Sequence, residues 1–166
     1  INSGKNEAEV YRKRGTAHLR EGNNDKAIAD FNAAVQRGAN DGKIFQLLGT
    51  AQFEKGTYEE ALQNLERAIS FEIKDSSLFI NAAKASQQLS RSEGAISYFK
   101  KAIAAGAKSP EVFQQYAILL YESGSTQEAK INIERALSAG AKGNRIYLYQ
   151  GYLAIVDKKW DQAISS

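Results

Sequence analysis

Apolar positions recur along this chain in two helical stripes per 34 residues. Ala27, Ala61, Ala95, Ala129 and Ala163 share one phase, and Ala34, Ala68, Ala102 and Ala136 share a second. Between them Phe31, Leu65, Phe99 and Ile133 form a row of large apolar residues. A small residue, a bulky one four later and a small one three later lie on one face of a helix. The small residues admit a close neighbour and the bulky one fills the gap. A second stripe precedes each of these. Tyr11, Phe45, Phe79, Phe113 and Tyr147 are aromatic and in register, and Gly15, Gly49, Ala83, Ala117 and Gly151 follow four residues later. Glycine inside a helix costs about 1 kcal/mol relative to alanine, so it marks a close helix contact.

Helix ends recur with the same period. Gly22, Gly56 and Gly124 stand where a helix-terminating glycine belongs. Thr57 with Glu60, and Ser125 with Glu128, have capping-box spacing at the start of a following helix. Ser90 with Glu93 has it one residue early in the third repeat. Ser109-Pro110 supplies a cap and a first-turn proline. Each repeat is therefore expected to hold two helices joined by a short turn.

A helix–turn–helix period of 34 with Leu48-Gly49 and Ala61-x3-Leu65, and with Gly15 and Ala27-x3-Phe31, resembles the tetratricopeptide repeat over residues 8–166. The family's tryptophan position is Tyr or Phe here, and its late proline is Ala39, Ile73, Ala107 and Ala141. The resemblance implies an all-α, right-handed α-solenoid with four complete repeats and one truncated. A flank over 1–7 precedes one array, with repeats at 8–41, 42–75, 76–109, 110–143 and 144–166. The fifth is expected to stop just inside a second helix opening near Trp160. Terminal repeats of a solenoid need a polar outer face. This one presents Tyr147, Leu148, Tyr149, Tyr152, Leu153, Ile155 and Val156, so the chain is expected to continue into a longer array or to self-associate through repeat five.

Composition narrows the chemistry. There is no cysteine, which removes Cys–His nucleophiles, and a single histidine, His18, which leaves no metal site built on Cys and His ligands and is not expected to form a Ser–His pair. His18 occupies the family's tyrosine position and reads as packing. Gly38–Lys43 has a glycine-rich look, but one residue too few between its glycines and Ile44 in place of Ser or Thr, so an inter-repeat turn explains it. The net charge of +3 comes from repeats that alternate in sign, which is a solvated surface and not a phosphate-binding stripe. No apolar run approaches a membrane span. No enzyme activity, cofactor, metal, nucleic acid or membrane insertion is expected.

In the family, first helices line a concave groove that holds a peptide or helix of a partner protein. Carried over position by position, the resemblance implies groove contacts from Arg12 and Thr16, from Lys43, Gln46, Thr50 and Phe53, and from Lys84 and Gln87. Gln114, Tyr121, Arg145 and Tyr152 continue the series. Chaperone adaptors of the family grip a C-terminal carboxylate with a Lys/Asn, Asn, Lys/Arg constellation. No frame of this sequence supplies it, so chaperone tails are expected to bind at millimolar affinity or weaker. A protein-interaction scaffold is the leading expectation. The alternatives are the docking region of an enzyme whose catalytic domain lies elsewhere, and a self-assembly module.

Overall fold

The computed structural model describes the backbone of residues 3–164 and the side chains of residues 6–156 and of Lys158. Nine helices and no strand occur among them: α1 (Ser3–Arg20), α2 (Asn24–Gln36), α3 (Gly42–Lys55), α4 (Tyr58–Ile69), α5 (Ser76–Gln88), α6 (Ser92–Ala104), α7 (Pro110–Glu122), α8 (Thr126–Ser138) and α9 (Asn144–Ile164). The chain shows two compact units, Ile1–Ala105 with α1–α6 and Gly106–Ser166 with α7–α9. Repeats contact only their neighbours, so an array can divide at any repeat junction.

In the first unit α1 packs on α2, α3 on α4 and α5 on α6, while α2 meets α3 and α4 meets α5. The first helices of successive pairs also touch, α1 with α3 and α3 with α5, and form a face of their own. In the second unit α7 packs on α8 and α8 on α9. Isolated helices of this length are marginal in water, so each pair depends on the apolar face it buries. That face is the repeated row: Ala27, Phe31, Ala34, Ala61, Leu65, Ala68, Ala95, Phe99 and Ala102 are wholly inaccessible to solvent. Ala129, Ile133 and Ala136 repeat the arrangement in the second unit; Ala163 lies outside the described side chains. Full burial of a side chain such as Phe31 or Leu65 contributes about 1.5–3 kcal/mol.

The glycine that follows the aromatic row is a contact point. A Cβ on Gly15 would stand 2.8 Å from the Phe31 ring, and one on Gly49 would stand 2.7 Å from Leu65 Cγ. A Cβ on Gly151 would meet nothing within 4 Å.

First helices end in one recurring turn. At Gly56 (φ 89°) the N–H of Thr57 donates to Gln52 O and that of Gly56 to Phe53 O, the paired bonds of a Schellman motif. Gly22 and Gly124 repeat it, and in the third repeat Ser90 adopts the same left-handed conformation at φ 57°. A second left-handed row, Gly38, Glu72, Gly106 and Gly140, closes the second helices.

Three local expectations are corrected. Thr57 and Ser125 make no side-chain cap bond, because ψ values of 73° and 59° are not the extended conformation a capping box needs. The Thr57 hydroxyl turns back to Gln52 O instead. Ser90 is the left-handed turn residue and not a cap, so Arg91 takes the N-cap position of α6. The flank expected over 1–7 includes the start of α1 at Ser3. Finally, α9 runs through Trp160 to Ile164 without the expected break. The position in phase with Gly22, Gly56 and Gly124 is Lys158, which has no preference for the left-handed turn. Ser109 does cap α7, accepting from Val112 N, with Pro110 in the first turn.

Candidate protein-interaction surface

On α1, Arg12 Nε donates to Glu9 Oε2 at 2.8 Å, and the Thr16 hydroxyl donates to Arg12 O at 2.8 Å. On α3, Lys43 Nζ donates to Gln46 Oε1 at 3.2 Å. Gln46 is buried: its amide donates to Asp75 Oδ2 at 2.7 Å and to the Ser77 hydroxyl at 3.3 Å. It therefore ties α3 to the start of α5. Burial pushes the Asp75 carboxyl up, but bonds from Gln46 and Ser77 and the charge of Lys43 outweigh it and leave the carboxyl below its ordinary value. Thr50 Oγ1 accepts from Asn81 Nδ2 at 3.2 Å, a second tie from α3 to α5. The Phe53 ring lies 5.6 Å from Tyr58 and packs on the core of the first unit. Lys84 and Gln87, half-buried on α5, make no side-chain bond to another described residue.

The first unit thus gathers Arg12, Thr16, Lys43, Gln46, Thr50, Phe53, Lys84 and Gln87 on its first helices. Between α1 and α3 that face opens into a cleft of about 360 Å³, with Arg12, Thr16 and Lys43 in its lining. Arg20, Lys13, Glu9 and Leu47 line it too. A smaller hollow of about 220 Å³ runs on past Glu9 and Arg12 to Gly38–Asp41. That glycine-rich segment is an inter-repeat turn: Gly38 is left-handed and Asp41 caps α3 by accepting from Ile44 N.

The second unit brings together different chemistry. Tyr121 of α7 stacks on Tyr152 of α9 at 6.1 Å, and Tyr149 meets both edge-on at 5.4 and 6.0 Å. The Tyr149 hydroxyl donates to Glu122 Oε1 at 2.9 Å. Burial and this carboxylate raise its pKa, with Arg145 opposing them. Arg145 is exposed and Gln114 half-buried. Tyr147, Leu148, Tyr152 and Ile155 leave 42–55% of their surface open.

Among the described residues no group of three or more His, Asp or Glu side chains could hold a metal ion, and no helix is long and apolar enough to cross a membrane. His18 is half-buried, with Nδ1 3.6 Å from Glu21 Oε2.

A sequence model of the tetratricopeptide repeat matches residues 3–142. The chain belongs to the tetratricopeptide-repeat family. A search of the curated proteins by sequence found no match. Among solved structures, it is similar to a MamA protein at 17% identity, over 95% of this chain and 86% of that one, with a TM-score of 0.79. YrrB, described as a tetratricopeptide-repeat protein with an unusual peptide-binding site, superposes with a TM-score of 0.80 at 16% identity over 89% of this chain and 76% of that one. PilF of Pseudomonas aeruginosa does so at 0.60 and 22% identity over 98% and 90%. At such identities the likeness is one of fold.

Two residues outside the expected groove positions take part in these contacts, one in each unit. Asp75 anchors Gln46 from 29 positions away, and Tyr149 completes the tyrosine trio. Neither pairing has a sequence signal beyond the repeat register itself.

Proposed function

We propose that this chain is a non-catalytic protein-interaction module whose first-helix face binds an extended peptide or a helix of a partner protein. The observation that carries the reading is the α1–α3 cleft, where donors of Arg20, Lys13 and Lys43 border open space next to apolar Leu47. Convergent polar groups around a concave, partly apolar site are what ligand recognition requires. Membership of a family of interaction scaffolds supports it, and so does the peptide site described for YrrB. A free C-terminal carboxylate plays no part in this recognition, and nucleic acid is not the ligand.

The absence of cysteine makes the test clean, since a single introduced thiol is labelled uniquely. Peptides selected from a random library on the immobilised chain are titrated into Thr50→Cys and Lys100→Cys variants carrying an environment-sensitive dye. The reading expects a saturable change at position 50, on the first-helix face, and none at position 100 on α6. A response at position 100 alone contradicts it.

Self-association through α9 is a second reading, favoured by the exposed Tyr147, Leu148, Tyr152 and Ile155. It expects a molecular mass that rises with concentration and falls back in a Tyr147→Ser, Ile155→Ser variant. A mass constant with concentration excludes it.

A further inference from the structure

The ionisable groups of the α1–α3 cleft do not balance. Arg12, Lys13, Arg20 and Lys43 face one carboxylate, Glu9. Glu9 is already engaged: it accepts from Arg12 at 2.8 Å and lies 3.9 Å from Lys13. Lys43 donates only to the neutral Gln46, and the Asp75 oxygens beside it are occupied by Gln46 and Ser77. Arg20 pairs with no described residue. Elsewhere in the first unit, cations that reach across helices do find carboxylates: Arg37 with Glu7, Lys55 with Asp25, and Arg91 with Glu59. In the cleft, Arg20 borders the open volume with no anion to answer it, and Lys43 is answered only by the Asp75 charge beside it, which Gln46 and Ser77 already share.

We infer that the α1–α3 cleft binds acidic side chains of an extended partner peptide, with Arg20 and Lys43 supplying the countercharge. The inference rests on the proposed function and narrows its partner class. Leu47 and Ala17 line the cleft together with the two cations and give an aspartate or glutamate its apolar contact, while the carboxylate reaches a guanidinium or an ammonium. A nucleic-acid strand fits worse. Glu9 interrupts any continuous phosphate track, and no aromatic ring lines the cleft for base stacking.

The probe is a fluorescein-labelled, C-terminally amidated peptide of alternating Glu and Ser, followed by anisotropy beside its Lys–Ser counterpart. The acidic peptide is expected to bind at least about tenfold more tightly than the basic one. Its affinity is expected to fall several-fold between about 0.05 and 0.5 M NaCl, as the screening length shortens. Arg20→Glu with Lys43→Glu is expected to weaken it roughly tenfold. Lys26→Glu with Lys100→Glu, an equal change in net charge on exposed positions of α2 and α6, is expected to leave it within about twofold of the wild type, since exposed charges beyond a screening length act weakly. Circular dichroism checks that both variants stay helical.

Equal binding by wild type and Arg20→Glu/Lys43→Glu overturns the inference, as do equal losses in both double variants. Oligouridine competing as well as the acidic peptide does so too, and assigns the cleft to nucleic acid. A selected peptide that is neutral, insensitive to salt and still reports at position 50 refutes this inference alone. A response confined to position 100 refutes the reading beneath it.

Discussion

Gly49 and Gly151 occupy the same position of two repeats, and alanine at each should act in opposite directions. In α3 the added methyl would stand 2.7 Å from Leu65 Cγ and 3.0 Å from both Leu65 Cδ2 and the Ala61 carbonyl oxygen. Carbon–carbon contacts are comfortable at about 3.5–4.0 Å. Leu65 is sealed in the core and has no free space to turn into, and the Ala61 oxygen is helix backbone. Relief therefore requires α3 and α4 to move apart. Overpacking of this kind costs about 1–3 kcal/mol. Exchanging a mid-helix glycine for alanine returns about 1 kcal/mol. The net for Gly49→Ala is a destabilisation of about 1 kcal/mol, reaching about 2 if the helices resist separation. Gly151→Ala meets nothing within 4 Å, so only the propensity remains and α9 gains up to about 1 kcal/mol. Thermal and urea unfolding followed by far-ultraviolet circular dichroism reads both variants. For a chain of this size 1 kcal/mol moves the Tm by about 2–4 °C. Amide exchange within α9 isolates the Gly151 effect if the array frays from one end. A Gly49→Ala variant more stable than wild type would refute the packing argument, as would two variants shifting in the same direction.

Phe99→Ala removes a fully buried ring and should cost about 3–5 kcal/mol in urea unfolding; an unchanged midpoint would mean the repeat register is misread. Ser90 sits at φ 57°, where a residue with a Cβ is strained by about 1–2 kcal/mol, and glycine gives back part of that in unfolded-state entropy. Ser90→Gly should therefore raise stability by roughly 0.5–1 kcal/mol, and a lower Tm would contradict the turn assignment. Buried Asp30 accepts two bonds from Arg14, at 2.8 and 2.6 Å. They hold its carboxyl below the ordinary value against the opposing effect of burial. A depressed carboxylate contributes stability that is present above the unfolded pKa of about 3.9 and is lost as the pH falls through the folded value. Arg14→Met should flatten the decline in the urea midpoint below about pH 4, and an acid limb parallel to wild type would assign that loss to other carboxylates.

The alanine and large-apolar rows were legible because a helix face repeats its demand at every turn of the array. All of their described members are buried as the pattern required. The left-handed turns at Gly22, Gly56 and Gly124 were legible for the same reason, since glycine has a conformational signature. Ser90 was misread because serine is ordinarily a cap, and here the fold imposes the left-handed turn on it. The capping boxes failed because a left-handed residue just upstream swings the N-cap out of the extended conformation. The end of α9 was missed because the turn position carries Lys158, so the periodic pattern continued while its stop signal did not. On the candidate surface, the register placed every expected groove position on a first helix. It could not say that Gln46 and Thr50 spend their side chains on Asp75 and Asn81, because hydrogen bonds between repeats depend on rotamers and not on period.

The most direct test of the central claim is a map of backbone amide chemical shifts in the chain, recorded with and without a library-selected peptide. The account predicts that the shifts that move cluster on α1, α3 and α5, around Thr16, Lys43, Thr50 and Lys84. Movement concentrated on α2, α4 and α6, around Ala33, Glu60 and Lys100, with the first helices unchanged, would contradict it.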